Sequence, residues 1–171
     1  MRTVKYVVKT INMLGMIFQR RSDGKIKINT SVVERMQEFI QNRKYKLEAG
    51  GVLLGRYLKD SENIIVDRIT VPMVGDKQER NYFKRQEKRH QMVIEKAWDK
   101  SGGTCNYLGE WHTHAEWYPV PSQLDKKEWK RKLKEDIFDS DTLYFIIVGI
   151  KKIRVWEGNK TTMKIKRINL S

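Results

Sequence analysis

Short apolar runs separated by glycine, proline and polar turns indicate a chain that is rich in β-strands. The predicted strands are Met16–Ile28 (two short strands around a Ser-Asp-Gly turn), Glu48–Leu58, Asn63–Met73, Thr104–His114, Leu143–Ile150, Ile153–Gly158 and Thr162–Leu170. The glycines within Glu48–Leu58 indicate that other backbone approaches this strand closely.

Three further segments have the apolar spacing of helices, namely Asn29–Arg43, Arg85–Gly103 and Pro121–Lys134. In the first, Thr30 or Ser31 can act as the N-cap, and Glu34 can complete a capping box with Ser31. Its apolar face is formed by Val33, Met36, Phe39 and Ile40. The second helix closes on a glycine pair and the third begins near a proline, as helices commonly do.

Strands and helices alternate along most of the chain, and three consecutive strands end it. This order predicts an α/β or α+β fold, in which a β-sheet is flanked by helices. No repeat, linker or shift in composition divides the sequence, so we expect a single domain over residues 1–171.

The composition is that of a globular protein, with 39% hydrophobic and 33% charged residues. Cys105 is the single cysteine, so no disulfide can form within the chain, and a reducing compartment such as the cytoplasm fits best. The N-terminal residues lack the clean apolar run of a secretory signal. No run approaches the roughly 20 apolar residues that cross a bilayer, so we expect no membrane association of that kind.

The formal net charge of +14 is compatible with nucleic acid, an anionic membrane surface or an acidic protein as a partner. The basic residues are densest in Arg80–His90 and Lys126–Lys134. No RNA-recognition motif, zinc finger or helix-turn-helix sequence accompanies them, so nucleic-acid binding stays an open alternative to a solvated basic surface.

The segment Gly109–Asp125 carries the most informative pattern of polar residues. His112 and His114 are two apart on a predicted strand and therefore point to the same face. Ser122 and Asp125 are three apart at the start of a predicted helix and can share a side of it. Two histidines and one carboxylate with an open fourth position form a hydrolytic zinc site. Taken singly, Ser122 would be a helix cap, and Asp125 would favour the positive end of a helix.

Other interpretations of these residues are weaker. His114-Ala115-Glu116 begins the zinc-deaminase signature, but the two downstream cysteines of that signature are missing. Cys105 is expected to be a buried strand residue and not a nucleophile. Glu110 and Glu116 are possible alternative ligands. Glu110 can instead contact and orient a histidine without binding the metal itself. His90 lies on a charged helix and is interpreted as a surface residue.

The spacing H-x-H, seven residues, S, two residues, D resembles the JAMM signature of the JAB/MPN metallopeptidases. That family also has a glutamate on a glycine-bearing segment upstream, which Glu48, Gly51 and Gly55 resemble in "EAGGVLLG". The likeness covers roughly residues 25–157 and is greatest to the bacterial branch, which includes the deconjugating peptidases of CBASS antiphage operons. Ala115 departs from the pattern, because many relatives have proline there.

The resemblance implies a JAB/MPN-like mixed sheet flanked by helices, related to the cytidine deaminase fold. It implies one Zn²⁺ per chain bound by His112, His114 and Asp125, with Glu48 as general base and Ser122 as oxyanion donor. The implied activity is cleavage after the C-terminus of a conjugated protein, either a ubiquitin-like modifier or a CBASS nucleotidyltransferase. An E1/E2-like conjugating enzyme would act with it, and segment 75–89 is the expected contact for the substrate tail. A non-catalytic JAB-fold binding module is the alternative.

Overall fold

The computed structural model describes residues 15–171 and contains ten strands and three helices in that range. The strands are β1 (Met16–Gln19), β2 (Lys25–Ile28), β3 (Gly50–Tyr57), β4 (Ile64–Ile69), β5 (Lys77–Glu79), β6 (Tyr82–Lys84), β7 (Asn106–Thr113), β8 (Thr142–Val148), β9 (Ile153–Asn159) and β10 (Ile165–Ile168). The helices are α1 (Thr30–Gln37), α2 (Glu87–Lys100) and α3 (Gln123–Glu135). The expectation about a secretory signal concerns residues 1–14, which lie outside the described residues.

Helix α1 is shorter than predicted and begins differently. Asn29 takes the N-cap position in place of Thr30 or Ser31, and its side chain makes no capping hydrogen bond. The α-helix ends at Gln37, after which the N–H groups of Phe39 and Ile40 bond to carbonyls three residues back, at 3.1 and 3.2 Å. This tightening keeps the predicted apolar face in register, because Val33 and Met36 are buried and Phe39 and Ile40 pack on the same core.

Eight strands form one mixed sheet in the order β1-β2-β4-β3-β7-β8-β9-β10. The pairs β2–β4 and β7–β8 are parallel, and the remaining pairs are antiparallel. The sheet curls until its two edges meet, where Phe18 bridges Leu170. The Gln19 N–H donates to the Asn169 carbonyl at 2.9 Å, and the Ser171 N–H donates to the Ile17 carbonyl at 2.9 Å. These bonds cover edge groups that would otherwise be exposed.

Helices cover both faces of this sheet, which agrees with the predicted fold of a β-sheet flanked by helices. On the inner face α1 packs against the largest apolar core, which includes Ile26, Leu53 and Trp111. On the outer face α3 and α2 cover two smaller cores, the first around Trp129 and Phe145 and the second around Val52, Leu54 and Ala97. The outer face therefore holds the two helices that the sequence placed on either side of the histidine strand.

A small hairpin of β5 and β6 stands apart from the main sheet. The sequence predicts no strand in this region, because three-residue strands are too short to show an apolar period. Contacts with the segment before β3 hold the hairpin in place. The Gln78 side-chain amide donates to the Glu48 carbonyl at 3.0 Å, and the Glu48 N–H donates to the Glu79 carbonyl at 2.8 Å.

Cys105 is a free thiol and is buried, as predicted, although it lies one residue before β7 begins. Burial raises the pKa of its thiol, which disfavours a nucleophilic thiolate. Among the described residues, every helix is too short or too polar to span a bilayer.

Candidate metal centre

Strand β7 presents His112 on the outer face because of a bulge at Gly109. Leu53 pairs with Gly109 and Leu54 pairs with Tyr107, so Leu108 is an extra residue on β7. The bulge changes the side-chain alternation, since an inserted residue shifts the parity of a strand. Leu108 and Trp111 therefore both enter the inner core. Glu110 and His112 face outward, where the His112 ring lies 6.4 Å from the Trp129 ring of α3.

Gly109 has φ +138°, in the region that favours glycine. A β-carbon at this position would lie 1.8 Å from the carbonyl oxygen of Tyr144 on the neighbouring strand β8. Only glycine tolerates both the positive φ and the close approach of the Tyr144 carbonyl. Gly109 therefore permits the bulge that turns His112 to the outer face.

Asp125 is positioned by the first turn of α3. Ser122 is the N-cap, and its hydroxyl oxygen accepts the Asp125 N–H at 3.0 Å. In return, Asp125 Oδ2 accepts the Ser122 N–H at 2.7 Å, which completes a capping box. The interpretation of Ser122 as a helix cap is thus confirmed by the geometry, and it leaves the hydroxyl proton of Ser122 able to donate elsewhere.

The nitrogen and oxygen atoms of three predicted ligands converge on one point. The two Nε2 atoms of His112 and His114 are 3.0 Å apart. Asp125 Oδ1 lies 3.3 Å from His112 Nε2, and Asp125 Oδ2 lies 3.3 Å from His114 Nε2. Ligands about 2.0–2.1 Å from a tetrahedral zinc ion are themselves about 3.3–3.4 Å apart. The two imidazoles and the carboxylate are a donor set that suits zinc, and their separations are compatible with a bound metal ion, although each histidine faces a different oxygen of Asp125.

Glu116 contacts the far side of His114. Its Oε2 lies 3.3 Å from His114 Nδ1 and also accepts the Val120 N–H at 3.0 Å. A metal-binding imidazole commonly donates its other N–H to a carboxylate, which fixes the tautomer and the ring orientation. This contact favours Nε2 as the ligand atom of His114 and gives Glu116 a supporting position and not a ligand position.

Glu48 is buried beside the two histidines and is 6% exposed. A glutamate at the start of a strand is commonly a solvated charge, and the burial of Glu48 excludes that interpretation here. One carboxylate oxygen and a ring nitrogen from each of His112 and His114 all lie within 4.8 Å of one another. Burial raises the pKa of Glu48 to about 7, although the nearby histidines oppose the shift. A carboxylate with this pKa can exchange a proton near neutral pH.

The Asp125 carboxylate has the opposite electrostatic behaviour. Burial alone would raise its pKa, but hydrogen bonds from His112 and His114 outweigh that effect and lower it well below its usual range. Burial would lower the pKa of His114, and Asp125 outweighs it and raises that pKa. The two carboxylates therefore have distinct states, with Asp125 ionised as a metal ligand must be and Glu48 able to carry a proton.

The main-chain neighbours of these residues are hydrogen-bonded to one another. The Ala49 N–H donates to Thr113 Oγ1 at 3.0 Å, and the Thr113 N–H donates to the Ala49 carbonyl at 2.8 Å. The Thr113 hydroxyl donates to Gln41 Oε1 at 3.0 Å. The Gln41 amide in turn donates to the Arg80 carbonyl of the β5–β6 turn at 2.8 Å. Sequence reasoning missed Gln41 and Thr113, because neither belongs to a recognisable motif.

Two expectations about neighbouring residues are corrected. His90 is fully buried and not a surface residue, because its ring nitrogens bond to Thr70 Oγ1 at 2.7 Å and to Asp76 Oδ2 at 3.0 Å. His90 shares the buried face of α2 with Ala97, seven residues later, and this spacing was the one sign of its burial in the sequence. Glu110 shares the outer face with His112, as expected, but its carboxylate contacts Arg85 and Lys132.

The site opens into a cleft of about 380 Å³ between the β5–β6 hairpin and α3. The hairpin side is formed by Tyr82, Phe83 and Lys84, and the α3 side by Leu124, Glu128 and Trp129. Glu48, His112, His114, Ser122 and Asp125 all line this one cleft. An extended chain passing between hairpin and helix would cross the point where the ligand atoms converge.

Known proteins resemble this chain over most of its length. Residues 31–163 match the family of prokaryotic homologs of the JAB domain. A protein of Vibrio cholerae named CD-NTase/cGAS isopeptidase is 34% identical over 145 residues, covering 85% of this chain and 88% of that protein. The protein of the same name from Escherichia coli is 31% identical, covering 92% and 96% respectively. The one from Pseudomonas aeruginosa is 37% identical, covering 70% and 73%.

The fold has a parallel among solved structures. The solution structure of protein DSY2949 from Desulfitobacterium hafniense superposes with a TM-score of 0.58 at 22% identity, and the match covers 83% of this chain and 88% of that one. The family match spans the helices and strands that carry all five predicted site residues. The chain belongs to the prokaryotic JAB family.

Proposed function

We propose that this protein is a zinc-dependent isopeptidase that releases a CD-NTase/cGAS-type enzyme from molecules joined to its C-terminus. The observation that carries the proposal is the convergence of His112, His114 and Asp125, whose ligand atoms are 3.0–3.3 Å apart, beside the buried Glu48. The substrate class is supported by the shared name of three relatives that are 31–37% identical to this chain.

Each side chain has a distinct task in this reaction. A zinc ion with three protein ligands lowers the pKa of bound water to about 7 and polarises a carbonyl. Glu48, with its pKa near 7, accepts a proton from the attacking water and then donates it to the leaving amine. The Ser122 hydroxyl donates to the developing oxyanion while its oxygen keeps the Asp125 N–H. Glu116 holds the His114 ring in orientation.

The substrate tail is proposed to lie along β6. Strand β6 pairs only with β5 among the described strands, so its other edge is free, and its residues Tyr82, Phe83 and Lys84 line the cleft. An extended peptide can add to such an edge through main-chain hydrogen bonds. A tail bound there would run between hairpin and α3 toward Glu48, which agrees with the expectation that segment 75–89 contacts the tail.

The biological setting follows from the proposed substrate. A conjugating enzyme of the E1/E2-like kind would attach the nucleotidyltransferase, and this protein would reverse that step, in bacterial antiphage defence. The alternative of a non-catalytic JAB-fold binding module is less consistent with an intact ligand triad and a buried base. The experiment below separates a catalytic protein from a binding module.

The test uses purified protein and a fusion in which the C-terminus of a CD-NTase is joined to a second protein. Wild type should contain about one zinc ion per chain by elemental analysis and should cleave the fusion at the junction, as mass spectrometry would show. Glu48→Gln should retain zinc and lose cleavage by a factor of about 10² or more, because it removes the proton carrier. Glu95→Gln, an exposed carboxylate of α2, is the matched control and should cleave normally.

Absence of stoichiometric zinc in wild type, or full cleavage by Glu48→Gln, would contradict the proposal. Zinc at full occupancy without cleavage of any CD-NTase fusion would instead leave a metal-binding JAB module with a different substrate or none.

A further inference from the structure

Glu110 is held between two cations in the wall of the cleft. Lys132 Nζ lies 2.7 Å from Glu110 Oε1, and an Arg85 guanidinium nitrogen contacts the same oxygen. The side chains of Lys132, Arg85 and Glu110 are only 9%, 15% and 17% exposed. Removing one partner of an ion pair this poorly solvated is costly, because the remaining partner is left charged and buried.

The three charges belong to three different elements. Glu110 lies on β7, Lys132 lies on α3, and Arg85 lies between β6 and α2. The cluster therefore joins the strand that carries His112, the helix that carries Asp125 and the segment that directly follows the hairpin of the proposed tail site. The exposed ion pairs of Arg131 with Glu128 and Glu135, by contrast, stay within α3.

The contact between Glu110 and Lys132 runs beside the contact between His112 and Asp125. Glu110 and His112 are two residues apart on β7 and share its outer face. Asp125 and Lys132 are seven residues apart on α3, which is two helical turns, and share one side of it. Strand and helix are thus linked twice on the same side, once by an ion pair and once by a predicted metal ligand.

The ion pair between Glu110 and Lys132 bears on the placement of α3. Asp125 is in the first turn of α3, so a small rotation of the helix about its axis moves its carboxylate away from the imidazoles. Trp129 resists translation by stacking on Phe145, with ring centroids 4.7 Å apart. Lys132 resists rotation, since its ammonium is held at a fixed point on β7.

We infer that Glu110 is a positioning residue, which through Lys132 fixes the rotation of α3 and so keeps Asp125 within reach of both histidines. The inference rests on the proposed metal site and assigns no contact between Glu110 and the metal. Water screens this contact little, because Lys132 Nζ lies 2.7 Å from Glu110 Oε1 and the two side chains are 9% and 17% exposed.

The test measures zinc affinity by competition with a chromophoric chelator, using Glu110→Gln, Lys132→Met and the double variant. Removing a group that supports a metal ligand typically weakens binding by about 10–100-fold. Each single variant should fall in that range, and the double variant should lose little more than either alone, because both act through one contact. With Co²⁺ in place of zinc, the absorption bands should change shape or intensity, since Asp125 no longer holds its position.

Two controls separate positioning from general stability. Glu135→Gln removes an ion pair that stays within α3 and should bind zinc as wild type does. Val66→Ala weakens the inner core, away from α3, and should lower the melting temperature without changing the zinc affinity. The double variant removes the Glu110 and Lys132 charges together and leaves only the Arg85 charge of the cluster without its partner, so its melting temperature beside those of the single variants shows whether an unpaired Lys132 or Glu110 impairs folding.

Zinc affinities within twofold of wild type in both single variants would overturn the inference, whatever the loss of melting temperature. The same would follow if Val66→Ala weakened zinc binding as much as Lys132→Met. If wild type itself bound no zinc, the proposed function would fail first, so the two failures are distinguishable.

Discussion

Ala49 and Thr113 form a reciprocal pair in which each N–H donates to an oxygen of the other, at 3.0 and 2.8 Å. Ala49 directly follows Glu48, and Thr113 stands between His112 and His114. The pair therefore ties the proposed base to the proposed ligands through two main-chain segments. One of these hydrogen bonds joins two main-chain groups and the other uses the Thr113 hydroxyl, and together they hold the segment of Glu48 beside the segment of the histidines.

Thr113→Val keeps the shape of this side chain and removes its hydroxyl, so it tests what the hydroxyl contributes. Valine leaves the Ala49 N–H and Gln41 Oε1 without their partner, which should cost about 1–3 kcal/mol in the free energy of unfolding. It should also reduce the rate of cleavage, because Glu48 is no longer anchored. Denaturant titration and kcat measure the two effects. Thr113→Ser keeps the hydroxyl and should remain near wild type in kcat, and equal losses in the two variants would count against the anchoring role.

Ser122 has two proposed roles that three substitutions can divide. Ser122→Ala removes both the cap and the hydroxyl donor, so it should lower stability by about 0.5–2 kcal/mol and kcat by about 10²–10³. Ser122→Gly should keep stability within a few tenths of a kcal/mol, because glycine caps almost as well, yet lose the same activity. Ser122→Thr should keep both. Normal kcat in Ser122→Gly would leave Ser122 as a cap alone.

Gly109→Ala should damage the site more than any other single methyl addition described here. The new β-carbon would lie 1.8 Å from the Tyr144 carbonyl oxygen, at a φ of +138°. We expect a loss of about 3 kcal/mol or more in the free energy of unfolding, together with weak zinc binding. Gly102→Ala is the matched control, since its φ is +65° and nothing lies within 4 Å of the added carbon. It should cost about 1 kcal/mol.

His90→Leu should loosen the hairpin through its connection to the sheet. His90 bonds to Asp76, one residue before β5, and to Thr70, one residue after β4. Leucine would remove the imidazole partner of both groups, at a cost of about 1–3 kcal/mol, although Asp76 still accepts the Met73 and Gln86 N–H groups and Thr70 still accepts the Val52 N–H. Hydrogen exchange should then be faster at residues 77–84. Gln91→Leu, on the exposed neighbouring position, should leave exchange unchanged.

Metal removal should lower the melting temperature without unfolding the protein. The three apolar cores do not include the ligand residues, so they persist when zinc is taken away by a chelator. Adding zinc to about 100 times its dissociation constant should restore about 2.7 kcal/mol. Differential scanning calorimetry of wild type and His114→Ala makes the comparison. A similar zinc-induced shift in His114→Ala would place the metal elsewhere.

The sheet, the order of elements and the convergence of the ligands could be expected from the sequence, because each has a local signal. His112 and His114 share strand parity, and Ser122 and Asp125 share a helical turn. The Glu48 assignment needed the family resemblance, since nothing local marks a buried glutamate at the start of a strand. The roles proposed for these five residues stay predictions.

What could not be expected depends on contacts between distant segments. The β5–β6 hairpin is held by Gln78 and Glu79 against the main chain of Glu48, and strands of three residues have no period to detect. His90 was misplaced because a polar residue on a charged helix suggests exposure, whereas two partners on other elements satisfy it inside. Glu110 was interpreted as an alternative ligand or as a support for the histidines, and its actual partners come from 25 residues earlier and 22 residues later (110 − 85 and 132 − 110).

The capping box of α3 has a consequence for identifying active members of this family from sequence. Asp125 closes the cap with Ser122 and faces the histidines with the same carboxylate, so both residues would still stabilise the start of the helix in a chain that had lost its metal. The pattern S-x-x-D would then survive in inactive descendants for reasons of folding alone. Among the contacts described, the side chains of Glu48 and the two histidines have no comparable role in starting a helix. Their presence is therefore the better criterion for an active enzyme.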